Sequence, residues 1–308
     1  VKADLTRQAS LELMRPLRAQ AWAHPEAMRG QVRQSPAAGF EGRRGFDAAF
    51  LEGWAMPLPV PEKDVRPLRR GGTGAELRYM NFSVVMSASR RMPMLTAANI
   101  DGTQARRIPR SDVWRFDGRL DPEDQWGDEL YNGNALDRGH MVRREDPLWG
   151  TAQDAATANE DTFHFTNACP QMAGVNQKIW LGLEDYILQN ARVNGLRVNV
   201  FTGPVFGPDD LAYRGALIPL SFWKIVAIVT EDGRPSATAY LVTQDKELSQ
   251  LEFIYGGYQT YQVSLRHVMD LTGLDFSSLA AYDGFSAYEQ ASGQPLKERL
   301  DSVDQIRV

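Results

Sequence analysis

The chain has 308 residues, 43% hydrophobic and 24% charged, with seven tryptophans and a formal net charge of −5. This is ordinary globular composition, enough for one large domain or two small ones and too aromatic for extensive disorder. No apolar run reaches the roughly 18 residues of a membrane span, and the single cysteine, Cys169, excludes both an intrachain disulfide and a Cys/His zinc cluster.

Net charge is a blunt guide to partners, because a polyanion answers to a local basic face. One cysteine fits a reducing compartment. The chain begins at Val1 with no apolar signal core behind it, which reads as a trimmed or processed terminus. Its location is therefore unknown, with a lean towards the cytoplasm over secretion.

Taken in order, Leu5, Ala9, Leu11, Met14, Leu17 and Trp22 recur at helical spacing and predict an amphipathic helix within residues 1–36, ended or kinked at His24 before Pro25. It is either a packing helix or a regulatory, partner-binding arm. Residues 35–74 are rich in Gly, Pro and charge and read as a linker winding over a surface, with one apolar stretch at 50–54. Tyr79, Phe82, Val84 and Val85 predict a strand over 77–87, and a second spans 94–100 before a hairpin-type turn at Asp101-Gly102. Residues 105–115 hold Arg106, Arg107, Arg110 and Arg115 around Trp114, the densest positive patch in the chain. It is either a solvated face or a phosphate-contacting edge.

Beyond residue 184, strands are expected at 196–203, 222–230 and 236–243, the last two joined by a hairpin. Helices follow at 263–271 and 277–282, and the tail from Ser292 is polar and peripheral. The division is an arm and linker at 1–74, a main domain at 75–290 and a tail at 291–308.

Between these stretches lie the residues suited to chemistry. Asp137-Arg138-Gly139-His140 offers an imidazole able to take a proton near neutral pH, a guanidinium fork that matches phosphate, and a glycine that permits a tight turn or close approach. Alone, the tetrapeptide also reads as a surface turn. Asn176 opens a predicted helix. Trp180, Leu183 and Ile187 fall within about 40° of it around the axis and Glu184 about 80° away. An amide oxygen and a carboxylate then share one side of the helix, unless Asn176 is a simple cap and Glu184 a surface residue. Residues 163–165 read as a buried strand, with His164 structural and Cys169 a small buried hydrophobe.

Asp137-Arg138-Gly139-His140, Thr166-Asn167 with Pro170-Gln171, and Asn176 followed by Trp180 and Leu183-Glu184 together resemble the DNA/RNA non-specific endonucleases, the sugar-non-specific nucleases with a ββα-metal active site. The resemblance extends more loosely over residues 77–282 and leaves out residues 1–70. It implies an α+β fold with a central antiparallel β-sheet, a ββα-metal motif and flanking helices. It also implies Mg2+-dependent cleavage of DNA and RNA with little sequence preference, Mn2+ being a substitute ion.

By that resemblance His140 is the general base and Asn176 the direct protein ligand of one divalent ion. Glu184 orients water in the ion's hydration shell, Arg138 stabilises phosphate charge and Asn167 supports the site by hydrogen bonding. Arg107, Arg110, Arg115 and Arg143 are candidate phosphate contacts, with no choice made between Arg110 and Arg115 for the arginine expected near Trp114. One or two protein oxygens suit magnesium, which keeps most of its waters. The stretch offers few of the carboxylates that a two-metal clamp needs.

One departure is Leu188, where the family often carries an arginine; Arg192 lies a further turn along. Three other readings stay open. The chain is a nuclease-fold protein of impaired activity that binds nucleic acid, a toxin or defence effector controlled by residues 1–70, or a cysteine hydrolase using Cys169. No membrane partner is expected, and a homodimer and a regulatory protein contact through residues 1–70 remain open.

Overall fold

Stretches with large apolar residues at alternate positions become strands, and eight of them join into one antiparallel sheet in the computed structural model, which describes residues 32–172, 179–230, 232–244, 259–300 and 305. In spatial order the sheet runs β14 (Lys297–Leu300), β13 (Gln259–Val263), β12 (Pro235–Thr243), β11 (Ser221–Val229), β8 (Arg197–Val205), β4 (Pro93–Asp101), β3 (Phe82–Met86) and β2 (Glu76–Tyr79). Two short pairs accompany it: β1 (Gln34–Ser35) lies parallel to β5 (Phe116–Asp117), and β9 (Leu211–Tyr213) forms a hairpin with β10 (Ala216–Ile218). A separate antiparallel pair, β6 (Leu136–His140) and β7 (Ala168–Met172), aligns His140 with Ala168.

The helices are α1 (Asp128–Tyr131), α2 (Ala152–Asp161), α3 (Ile179–Asn194), α4 (Leu265–Thr272), α5 (Ser277–Ala280) and α6 (Gly284–Ser292). α3 is amphipathic: Leu183, Ile187, Leu188 and Ala191 are buried, while Asp185 and Gln189 face solvent. It stops at Gly195, whose φ of 62° is left-handed, and the Leu196 amide donates back to the Ala191 carbonyl at 2.9 Å. This is the six-to-one bond of a glycine C-terminus.

Several expected elements differ in detail. The strand expected over 77–87 is the β2–β3 hairpin, turning at Met80-Asn81 with Asn81 at φ 68°, a conformation that asparagine tolerates. Asp101-Gly102 is not a hairpin turn. The Asp101 carboxylate accepts from the amides of Thr103 at 3.0 Å and Gln104 at 3.3 Å and starts a 3-10 turn, and β4 pairs with the distant β8. Val263 completes β13, so the helix expected at 263 begins at Leu265, capped by Ser264 Oγ. The helix expected over 277–282 ends at Ala280, and α6 was not foreseen. Residues 163–165 are buried as expected but form no strand: Phe165 opens a 3-10 turn. The tail contributes β14, which extends the sheet beside β13.

Most of the helix expected over residues 1–36 lies outside the described residues; Gln34 and Ser35 are strand. Residues 35–74 do wind, with little regular structure, yet Phe40, Phe46, Phe50, Leu51, Trp54 and Met56 are buried.

β11 shows how the sheet divides the core. Trp223, Ile225 and Ala227 join a cluster with Phe46, Phe50, Trp54, Leu265 and Phe276. Phe222, Val226 and Ile228 join Leu183, Ile187, Leu188, Phe165 and Cys169 in another. The β6–β7 pair and α3 belong to the second side.

Candidate active site

β6 carries the strongest sequence motif. Cross-strand alternation puts Leu136, Arg138 and His140 on one face and Asp137 and Gly139 on the other. Gly139 makes no tight turn. It lies within the strand, and a Cβ there would stand 2.0 Å from Gln171 Oε1, so the glutamine side chain occupies that space. Both polar atoms of the Gln171 amide are buried without a hydrogen-bond partner.

His140 is half-buried as a residue, but its Nε2 is sealed from solvent and makes no hydrogen bond. Its ring lies 4.8 Å from the Trp114 ring and 5.2 Å, edge to face, from Phe163. Burial, reinforced by the charges of Arg110 and Arg144, pushes its pKa down to about 3. The imidazole is therefore neutral throughout the physiological range.

Asn167 lies where β7 begins and is fully buried. Its Oδ1 accepts from the Val142 amide at 2.8 Å, and its Nδ2 donates to the carbonyls of Val142 at 3.0 Å and Thr162 at 3.1 Å. It ties the end of β6 to the segment after α2. Arg138 donates to the Asp128 carboxylate and, at 3.0 Å, to Asn132 Oδ1, and its guanidinium lies over the Tyr131 and Phe165 rings. Asn176 lies outside the described residues.

Glu184 sits in the second turn of α3, 7% exposed, with Oε1 3.3 Å from the ammonium of Lys224. Arg143 pairs with Asp185 at 2.5 Å. Burial pulls the Arg143 pKa down, but Asp146, Glu184, Asp185 and Glu145 more than offset this and leave it raised. Asp146 is buried beside them. Burial, opposed by Arg143 and Lys224, lifts its carboxyl to about 7. Sequence reasoning named neither Asp146 nor Lys224. The available signal for Lys224 was a lysine inside an otherwise apolar strand, and Asp146 was hidden in the charge run 143–146.

The basic stretch is a braced loop. Arg144 donates to the Ile108 carbonyl at 3.0 Å and to Asn159 Oδ1 on α2 at 3.2 Å, and the Arg106 amide donates to the Leu148 carbonyl at 2.7 Å. Arg107 and Arg110 are exposed on it. Arg110 pairs with Asp112 at 2.6 Å and lies 5.4 Å from the Phe163 ring, on the His140 side. Arg115 is half-buried, and its main-chain amide and carbonyl bond the Phe163 carbonyl and the Phe165 amide, each at 3.0 Å. Leu188 is buried in the core. α3 continues past Arg192, which pairs with Glu145 at 3.3 Å.

His164 and Cys169 are both buried. His164 bonds through Nδ1 to the Asp161 carbonyl and through Nε2 to Ser35 Oγ, each at 2.9 Å. Burial pushes the Cys169 thiol far above its usual range, which keeps it protonated and unsuited to nucleophilic attack.

The β6–β7 pair and α3 fall inside residues 67–283, which match the family described as DNA/RNA non-specific endonuclease. The chain belongs to that family. An uncharacterised protein of Sinorhizobium fredii, y4fB, is 39% identical across 84% of this chain and 43% of its own length. The mitochondrial endonuclease G of Bos taurus is 28% identical across 36% of the chain and 40% of its own length. The chain thus spans less than half the length of these relatives. The fold likewise resembles that in the crystal structure of the EndoG/EndoGI complex, with a TM-score of 0.53 at 18% identity over 68% of this chain and 87% of that one.

The residues present fit a hard, hydrated cation. Among the described residues no cluster of three His, Cys, Asp or Glu side chains makes a protein cage. Glu184 and Asp146 nevertheless bring two buried carboxyl groups within electrostatic reach of each other. An ion that keeps its waters needs such oxygens around it more than it needs a cage.

Proposed function

We propose that this chain is a magnesium-dependent endonuclease that hydrolyses DNA and RNA with little sequence preference. The reading is carried by His140, an imidazole at the end of β6 beside Trp114, Phe163 and the exposed Arg110, in a chain of the DNA/RNA non-specific endonuclease family. Its role is to take a proton from water as that water attacks phosphorus and the bond to the leaving oxygen breaks. Asn176 would hold the ion, Mg2+ or in its place Mn2+, with Glu184 reaching its hydration shell. When bound, the ion polarises the phosphoryl group and stabilises the leaving oxygen.

Arg138 supplies a fork for phosphate once substrate displaces Asp128, and the same exchange of partners serves Arg143 with Asp185 and Arg110 with Asp112. Arg107 and Arg115 are the remaining candidate backbone contacts. Asn167 acts indirectly, by holding β6 in place.

The test is plasmid nicking by the full chain in Mg2+. Cleavage stops on chelation, and His140→Ala slows it by about 10² to 10⁴-fold; equal rates for variant and wild type overturn the mechanism. Because His140 protonates only near pH 3, kcat/KM shows no acid limb at pH 6.5 from this group. A binding protein of impaired activity is the second reading, favoured by Leu188 being buried where the family often has an arginine. It predicts nucleic-acid binding without nicking at any pH.

A further inference from the structure

β11 runs through the middle of the sheet, and its α3-facing residues Phe222, Val226 and Ile228 are apolar and buried. Lys224 sits among them, 1% exposed. Its ammonium donates to Thr202 Oγ1 at 2.9 Å, directly opposite on β8, and reaches Glu184 Oε1 at 3.3 Å. Stability alone does not call for a cation here, since replacing a matched buried ion pair with apolar packing is often neutral or favourable. What the ammonium provides is direction. Glu184 projects from a helix on a side chain with three rotatable bonds, whereas the lysine is anchored on a central strand and braced by a threonine. Arg143 and Asp146 interact electrostatically with the same carboxylate, so an untethered Glu184 would have competing orientations.

We propose that Lys224 is a positioning residue: braced by Thr202, it holds the Glu184 carboxylate in one orientation, so that Glu184 meets the hydration shell of the divalent ion in a single pose. This rests on the nuclease reading above and assigns a role to a residue that never touches substrate.

The test uses the full chain with Mn2+ alone as probe, titrated calorimetrically without nucleic acid, alongside cleavage kinetics. Lys224→Met keeps the fold by circular dichroism, weakens Mn2+ binding by about 10- to 100-fold and lowers kcat by the same order, with KM for DNA unchanged. In a Glu184→Gln background the same change adds less than about twofold, because the lysine acts through the glutamate. Thr202→Val keeps the ammonium but removes its brace, and it shifts both quantities in the same direction by less. Mn2+ affinity and kcat within about twofold of wild type in Lys224→Met, or losses that multiply fully with those of Glu184→Gln, overturn the proposal. Should Lys224→Met not fold, Thr202→Val decides, and unchanged Mn2+ affinity and kcat there overturn it. A wild-type chain that binds Mn2+ but cuts no nucleic acid removes the nuclease reading, while the Mn2+ titrations still judge Lys224.

Discussion

The two sides of β11 are made by one strand and differ in kind. On one side Trp223, Ile225 and Ala227 are fully buried against other apolar groups, with residues 46–56 and the C-terminal helices as cover. On the other, the alternation Phe222, Lys224, Val226 places a cation in the sheet, and Glu184 and Asp146 bring buried carboxylates near it. Packing is kept on the first side, and electrostatic work on the second. A sheet eight strands wide can carry a poorly solvated charge cluster on one face because its other face is conventional core.

That contrast can be broken by substitution. The largest effect is expected on the apolar side, where Trp223→Ala costs about 3–5 kcal/mol in urea unfolding. The folded fraction keeps its kcat within about twofold; a much larger loss would mean that the two faces are coupled. Asp146→Asn probes the charged side. Its folded pKa, about 7, lies above the ordinary 3.8, so the native state binds the extra proton, and the stability this gives below pH 3.8 is lost as pH rises to 7. At about 1.4 kcal/mol per unit, ionised Asp146 costs the fold on the order of 4 kcal/mol at pH 8. Asp146→Asn therefore raises Tm more at pH 8 than at pH 5, and an equal change at both sinks the assignment. The smallest effect belongs to the solvent edge: Arg107→Ala lowers the slope of log affinity against log salt by about 0.9 for duplex DNA, without altering Tm.

Much of the charged side was legible in the sequence because its chemistry is local. The Asp-Arg-Gly-His tetrapeptide became β6, and the apolar spacing of Leu183 and Ile187 gave the buried face of α3. The antiparallel pairing of β11 with β12 was also readable, since Gly233 and its neighbours announce a turn between them. What escaped was non-local. Period two shows that Lys224 and Phe222 share a face, but not which helix meets them. Asp146 reads as one more solvated charge until the fold buries it among Arg143, Lys224, Glu184 and Arg192. Asp101-Gly102 has hairpin chemistry, yet the carboxylate accepts from the amides of Thr103 and Gln104, and the partner strand lies nearly a hundred residues away. The tail looked peripheral because Lys297, Glu298 and Arg299 are exposed, which is how an edge strand discourages further pairing.

Where α3 comes closest to the sheet, the limiting object is an atom that is not there. A Cβ on Gly102 would stand 1.8 Å from the Ala191 carbonyl oxygen, so no side chain fits between the last turns of the helix and the end of β4. The missing methyl acts as a depth stop: it lets the helix seat low enough for Glu184, two turns earlier, to reach an ammonium rooted in the sheet. How far the helix is countersunk is thus set at a position remote from any phosphate, and a bulkier residue there would blunt the tool by tilting its handle.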